Sequence, residues 1–378
     1  MINKIETGKR IASLRSKLGY SQAVFAEKLN VSPQAVSKWE TGQTLPDIDI
    51  LLIISWMCRI TINEIIDSEE IFVDQFNSVE RELLRMNKFL ICPECKKSLS
   101  LNVQTSGGLQ YFECENHHRF NVEDGVVFFN SREIPGELWS LFLRNYEHYL
   151  KVATHPGLPR YLEGEVPCKE VMWREIEKIR PNTIVDIACG MCGGIKYIIE
   201  RISWPCTVIL TDLSFRILSW NRKFFMEEIR NPYVDCVFLA CDCANIPLSD
   251  GSVDVVFSNC GFESMQNKMI DGFREARRIL KPNGKAVYNM SLVNDHKSNN
   301  TKTWNNLFLS KSKEFRDMLR DESQWLDECK KAGFSDNRSI KIYDEMPAPD
   351  VTEFPFENQV LRWMACHVFV SGFDKIQY

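Results

Sequence analysis

The sequence predicts a multidomain chain. An all-α segment lies at the amino end, a small cysteine-bearing β-ribbon follows, and an α/β doubly wound domain fills the remainder. Three observations carry this reading. Short helical periods bounded by cap residues fill residues 5–68; a Cys-x2-Cys pair is followed, after eighteen intervening residues, by Cys114; and from residue 183 onward short apolar runs alternate with helical patterns. At about 100–200 residues per domain, 378 residues exceed what one core organises. The predicted boundaries are 1–70 for the helical domain, 71–90 for a charged helical linker, 91–131 for the ribbon and 132–378 for the α/β domain, with a helical cap over 135–180.

Composition narrows the function classes. Hydrophobic residues at 44% and nine tryptophans supply enough apolar surface to fold, and a net charge of -5 argues against charge-driven coating of nucleic acid. The charge is uneven, because residues 1–46 hold seven basic and three acidic side chains, a balance of +4, leaving -9 for the rest. Any nucleic-acid contact is therefore expected at the amino end. Fourteen cysteines without a signal-peptide pattern point to a reducing, cytoplasmic setting rather than a disulfide scaffold. The longest apolar run, 48–58, is interrupted by Asp49 and Ser55 and falls short of the ~20 residues a membrane span needs, so no membrane partner is expected.

Five short helices are predicted within 5–68. Ile11, Leu14 and Leu18 mark one face of the first, Ser21 caps the second, and Phe25 and Leu29 form its inner side. After the turn at Asn30-Val31, Ser32 is an N-cap and Pro33 takes the favoured first helical position of a third helix, ended by Gly42. Val36 and Trp39 face inward there, so Gln34, Ser37, Lys38 and Thr41 face out. A fourth helix starts at Asp47 and a fifth at the capping box Thr61-Ile62-Asn63-Glu64. Two helices around a tight turn, coinciding with the basic stretch, make a helix-turn-helix. Through Ser21-Gln22, Ala26, Leu29, Val31-Ser32, Val36-Ser37, Trp39-Glu40 and Gly42 the segment resembles the Xre/Cro-type repressor family. That resemblance implies DNA binding, with Gln22 on a phosphate and Gln34 and Lys38 at base edges. Ser32, Ser37 and Thr41 complete the set, and a homodimer follows by analogy.

Cys92-Pro93-Glu94-Cys95 and Cys114 with His117 or His118 have the spacing of a tetrahedral structural zinc site, with Gly107-Gly108 turning the ribbon between them. The stretch, continued by Phe120 and Gly125-Val126-Val127, is similar to the zinc ribbon of the rRNA guanine-N1 methyltransferase family, and that similarity selects His118 as the fourth ligand. The family's ribbon helps bind RNA, but residues 88–133 carry no net positive charge, which disfavours RNA as a partner here.

Apolar runs at 183–188, 207–212, 236–240, 253–258 and 285–288 predict a parallel sheet, whose ligands sit at the carboxyl ends of the strands. Polar residues gather there: Asp186 and the loop from Cys189 to Gly194, then Asp212, Asp242 and Ser258-Asn259. A small-residue loop before a helix lets a ligand approach the backbone, an acid ending the second strand can accept ribose hydroxyls, and an acid with a backbone amide after the third can read an adenine edge. The motifs Val185-Asp186-Ile187-Ala188-Cys189-Gly190, Thr211-Asp212-Leu213-Ser214, Asp242-Cys243-Ala244-Asn245-Ile246-Pro247 and Arg277 through Gly284 resemble the class I S-adenosylmethionine (SAM)-dependent methyltransferases over about residues 140–375. The resemblance implies a Rossmann-like fold and a SAM site at Asp186, Ala188, Gly190, Asp212, Leu213, Asp242, Cys243 and Asn259. One departure is visible: the loop's third glycine position falls on Cys192, with Gly193-Gly194 one place later, which implies an inserted residue or altered methionine binding.

Methyl transfer from a sulfonium needs positioning more than a universal catalytic residue, and the catalytic residue is left unassigned; His148, His155 and Glu263 are the general-base candidates. Ser258-Asn259-Cys260-Gly261-Phe262 lacks the Pro-Pro-aromatic pattern of enzymes that methylate a flipped base nitrogen. The aromatics Trp139, Phe142, Tyr146, Tyr149, Tyr161 and Trp173 suit a lid over a small organic substrate. The expectation is a small-molecule SAM-dependent methyltransferase fused to a sequence-specific DNA-binding domain. The competing expectations are a regulator whose methyltransferase-like domain senses SAM or another ligand, and an rRNA base methyltransferase.

Overall fold

Asn3 opens the first helix by accepting the N–H groups of Ile5 and Glu6, and five short helices follow from it: α1 (Lys4–Lys17), α2 (Gln22–Lys28), α3 (Pro33–Glu40), α4 (Ile48–Cys58) and α5 (Ile62–Ile66). Ser21 and Ser32 cap α2 and α3 through their side chains, and Asp47 accepts the Ile50 N–H ahead of α4. Ile11, Phe25, Ala26, Leu29, Val36, Trp39 and Ile54 fill one core between the helices. Burying a side chain such as Phe25 or Ile54 contributes about 1.5–3 kcal/mol. Arg15 ties the helices together. Its guanidinium grips the Glu40 carboxylate at 2.6 and 3.2 Å and donates to the Tyr20 carbonyl at 2.7 Å.

The computed structural model describes residues 3–58, 60, 62–66, 83, 86–103, 110–130, 168–228, 231–309, 319–347 and 364–373. Most of the expected linker, the Gly107-Gly108 turn, His148, His155, Thr61 and the lid aromatics other than Trp173 lie outside these residues. The chain divides into two compact units: 1–84 with 202–205 and 231–235, and the remainder.

The second unit is organised by an eleven-stranded sheet of order β1-β2-β3-β4-β7-β6-β5-β8-β9-β11-β10. Its strands are β1 (Leu99–Val103), β2 (Gln110–Cys114), β3 (Arg119–Glu123), β4 (Val126–Phe128), β5 (Thr183–Asp186), β6 (Cys206–Asp212), β7 (Val234–Ala240), β8 (Val253–Asn259), β9 (Leu280–Leu292), β10 (Asp336–Tyr343) and β11 (Ala365–Gly372). The central strands β6, β5, β8 and β9 pair in parallel, while β11 and β10 return antiparallel at one edge. The cysteine-bearing ribbon is an antiparallel meander of β1 to β4, and β4 pairs in parallel with β7 from Val126↔Phe238 to Phe128↔Ala240, so ribbon and α/β strands share one sheet.

Burial explains the hydrophobicity of the central strands. β5 is buried at every position and β6 at all but one, as strands covered on both faces must be. The associated helices are α6 (Cys168–Ile179), α7 (Gly193–Ile199), α8 (Phe215–Glu228), α9 (Gly261–Ser264), α10 (Met269–Ile279), α11 (Asn299–Leu309) and α12 (Glu322–Lys331). The order β7-β6-β5-β8-β9 reverses direction at β5, so the carboxyl ends of β5 and β8 flank a topological switch point, where ligands of such sheets bind.

Candidate functional site

The loop leaving β5 is built on three left-handed residues two apart: Ala188 (φ 51°), Gly190 (φ 48°) and Cys192 (φ 56°). Only glycine adopts this conformation without a penalty of about 1–2 kcal/mol, and two of the three are not glycine. Cys192 is the N-cap of α7 and offers that helix no side-chain bond, while Gly193 and Gly194 are its first helical residues. Cys192 itself holds the third left-handed position.

Neighbouring strands fix the loop. Ile187 donates to the Phe257 carbonyl on β8 at 2.9 Å, and Cys189 donates to the Thr211 carbonyl on β6 at 2.9 Å. Asp212 is buried; its Oδ2 accepts the Gly190 N–H at 2.9 Å and its Oδ1 the Ser214 N–H at 2.9 Å. Burial pushes the Asp212 carboxyl up to about 6, against the opposing pull of those N–H groups. Asp186 is also buried, its Oδ1 has no hydrogen-bond partner among the described residues, and burial together with the nearby Asp212 raises its carboxyl well above the usual range. An orphaned buried oxygen beside a backbone loop at the carboxyl edge of the sheet is a feature that a polar ligand can satisfy.

The remaining predicted positions gather at the same edge. Asp242 accepts the Ala244 N–H at 2.9 Å and pairs with Lys268 at 2.6 Å. Cys243 is buried against the Thr211 hydroxyl at 3.4 Å, and Leu213 is half-buried beside the loop. Asn259 ends β8 against Gly194, where an added Cβ would sit 2.5 Å from the Asn259 Cβ. Gly261 follows in α9 with no room for a side chain either, since a Cβ would meet the Ile187 carbonyl oxygen at 2.2 Å. Glu263, two residues further, is half-buried, accepts the Ser291 N–H, and is pushed up to about 7 by burial.

Sequence reasoning missed Asn221. It lies buried on α8, donates to the Gly190 carbonyl at 2.7 Å and leaves its own Oδ1 without a partner among the described residues. The available signal was a polar residue on a buried helical face, three after Leu218 and four before Phe225. Lys268, on Asp242, was also missed and carries no comparable signal.

In the ribbon, Cys92, Cys95, Cys114 and His118 bring four donor atoms within 4.8 Å of one another. Cys95 and Cys114 sulfurs are 3.6 Å apart, and Cys92 Sγ is 3.3 Å from His118 Nδ1. A tetrahedral ion with Zn–S bonds of about 2.3 Å has ligand-to-ligand edges of about 3.8 Å, so the donors fit. Two tight turns shape the cluster: Lys96 donates to the Cys92 carbonyl at 2.8 Å, and His117 to the Cys114 carbonyl at 2.9 Å. His117 points away, to Glu113 at 3.3 Å, while the second nitrogen of His118 meets Glu94 at 3.3 Å, as an orienting carboxylate would.

On α3, Gln34 and Lys38 are exposed and Ser37 is half-buried. The Ser32 hydroxyl caps the helix on the Ala35 N–H at 3.2 Å, and the Thr41 hydroxyl donates back to the Ser37 carbonyl at 2.8 Å. Gln22 donates to Glu40 at 2.6 Å, so Glu40 anchors both Gln22 and Arg15.

A methyltransferase-domain family model matches residues 185–288 and a helix-turn-helix model matches residues 11–65. The chain is 28% identical over 107 residues to a malonyl-[acyl-carrier protein] O-methyltransferase of Marinomonas sp. (strain MWYL1), covering 28% of this chain and 37% of that protein. It is 36% identical over 67 residues to the HTH-type transcriptional activator BcrR of Enterococcus faecalis, covering 18% of this chain and 33% of that one. The chain thus spans about a third of the length of either relative. A solved Haemonchus contortus phosphoethanolamine N-methyltransferase 2, in complex with phosphomonomethylethanolamine and S-adenosylhomocysteine, superimposes with a TM-score of 0.40 at 18% identity, covering 54% of this chain and 53% of that one. The chain joins a helix-turn-helix domain to a methyltransferase domain of α/β fold.

Proposed function

We propose that the chain is a SAM-dependent methyltransferase acting on a small molecule, carried on the same polypeptide as a sequence-specific DNA-binding domain. The observation that carries the reading is the loop from Ala188 to Cys192. Its three left-handed residues stand at alternate positions, and its central N–H rests on Asp212, the acid that ends β6. Asp186, Ala188 and Gly190, with Asn259 at the end of the adjoining β8, would hold the methionine end of SAM, Asp212 and Leu213 the ribose, and Asp242 and Cys243 the adenine side. SAM supplies an electrophilic methyl group, and the protein's task is to align an acceptor behind it and keep water away. Absence of the Pro-Pro-aromatic pattern after β8 supports a small acceptor over a flipped base.

Zinc fits Cys92, Cys95, Cys114 and His118 and would serve as a structural tie closing the start of the ribbon onto β2 and β3. Gln34 and Lys38, with Ser37 and Thr41 beside them, would face the major groove; Gln22 would reach a phosphate and Ser32 would hold the helix start. A second copy would supply the second half-site.

A second reading, a regulator that senses SAM without transferring its methyl group, draws on two contacts. Both Asp212 oxygens are engaged by backbone N–H groups and Asp242 is paired with Lys268, so the groups meant for ribose and adenine already have partners. Incubation of the purified protein with SAM and a small-molecule extract, read as S-adenosylhomocysteine release, separates the two. Turnover supports the enzyme; SAM binding with no turnover on any fraction supports the sensor.

A further inference from the structure

The loop assigned to the cofactor also carries a pair of thiols. Cys189 and Cys192 are the first and fourth residues of a tight turn, closed by the Cys192 N–H on the Cys189 carbonyl at 2.8 Å. Such a turn brings its end Cα atoms within about 7 Å, and a disulfide spans about 4.4–6.8 Å. Their side chains converge as well. Cys189 Sγ lies 4.0 Å and Cys192 Sγ 3.9 Å from the same carbonyl oxygen, that of Gly190. Both stand as free thiols, Cys189 half-buried and Cys192 buried. Cys192 occupies a left-handed position at which glycine would carry no conformational penalty, so its side chain is there at a cost to the backbone.

Gly190, between the two cysteines, couples them to the site. It donates to Asp212 at 2.9 Å and its carbonyl accepts from Asn221 at 2.7 Å. An S–S bond of about 2.05 Å would draw both sulfurs together across this residue and displace the peptide that the two polar side chains hold.

We propose that Cys189 and Cys192 form a dithiol–disulfide pair that gates the cofactor loop, its oxidant a low-molecular-weight disulfide of the glutathione type. The proposal rests on reading this loop as the SAM site. Cys189, the more exposed thiol, loses its proton to solvent and attacks one sulfur of that disulfide, giving a mixed disulfide and releasing one small thiol. Cys192 then loses its proton and attacks the Cys189 sulfur, releasing the second small thiol. The protein gives up two electrons and two protons, and the small disulfide is reduced to two thiols. Because the pair lies inside a closed turn, exchange requires the loop to open. SAM, by holding the loop closed, opposes oxidation to the same extent that oxidation opposes SAM.

The experiment equilibrates full-length, zinc-loaded protein in graded mixtures of reduced and oxidised glutathione, with and without SAM. Each sample is mapped by peptide mass and titrated with SAM. The expected result is a linked 189–192 peptide, lighter by two hydrogens, that SAM suppresses, with SAM affinity falling about tenfold or more on oxidation and recovering on reduction. In Cys192→Gly and Cys189→Ser variants the ratio of oxidised to reduced affinity becomes one, whatever the starting value. The proposal is overturned if no 189–192 linkage forms, if linkage leaves affinity unchanged, or if the variants lose affinity on oxidation as the parent does. If the reduced parent fails to bind SAM, the cofactor reading falls and the gate with it, a failure distinguished by the linked peptide still forming.

Discussion

Gly190 rests its backbone N–H on the Asp212 carboxylate at 2.9 Å, joining the left-handed loop after β5 to the end of β6. The contact makes one acid responsible both for the shape of the loop and for the polar face the loop presents. Asp212→Asn keeps the shape but replaces one accepting oxygen with a donor, so one of the Gly190 and Ser214 N–H groups loses its partner, at a cost of about 1–3 kcal/mol. The expected outcome is a folded variant of unchanged zinc content whose SAM affinity drops about tenfold or more. Circular dichroism and titration calorimetry check it together; undiminished affinity would remove Asp212 from the site.

The proposed recognition surface on α3 makes a separable prediction. Gln34 and Lys38 are exposed, whereas Ser32 is used in capping, so Gln34→Ala and Lys38→Ala should each weaken specific DNA binding by about 1–3 kcal/mol without moving the unfolding midpoint. Ser32→Ala should instead cost about 1 kcal/mol of domain stability. Selection of a binding sequence from random DNA, then mobility shifts of each variant, reads the first effect. Equal loss from all three variants would mean that α3 is a folding element only.

For the ribbon, the expected zinc content is one per chain by elemental analysis, falling in Cys114→Ser and His118→Ala and unchanged in His117→Ala. Chelation should lower the unfolding midpoint, because a structural site binds metal only in the folded state. Equal zinc loss from the two histidine variants would contradict the geometry that turns His117 to Glu113.

Glu263 gives stability a pH signature. Its carboxyl is raised from 4.5 to about 7, chiefly by burial and against the Ser291 N–H, so between those values the folded chain binds a proton that the unfolded chain has released. This contribution is fully present below 4.5 and is lost as pH rises through about 7. Asp212 acts in the same direction between 3.8 and about 6. Glu263→Gln should flatten the decline relative to the parent in urea unfolding across that window. Parallel curves for the two proteins would place the Glu263 carboxyl at an ordinary value.

Much of this was legible in the sequence, for identifiable reasons. Ser21, Ser32 and Pro33 announced their helices because capping is a local event, and the runs at 207–212 and 253–258 announced strands because both faces are covered. The pairing of β4 with β7 was not legible, since parallel partners more than a hundred residues apart leave no local trace. In the site, the alternation of Ala188, Gly190 and Cys192 was visible as spacing, but that Cys192 would itself go left-handed was obscured by Gly193-Gly194 beside it. Asn221 and Lys268 act through contacts that only the fold creates.

The most direct test of the central claim is titration of reduced, full-length protein with SAM and with S-adenosylhomocysteine. Saturable one-to-one binding of both, weakened in Asp212→Asn, is the predicted result. Folded, zinc-loaded protein that binds neither would contradict it, and would leave the loop from Ala188 to Cys192 without the ligand assigned to it.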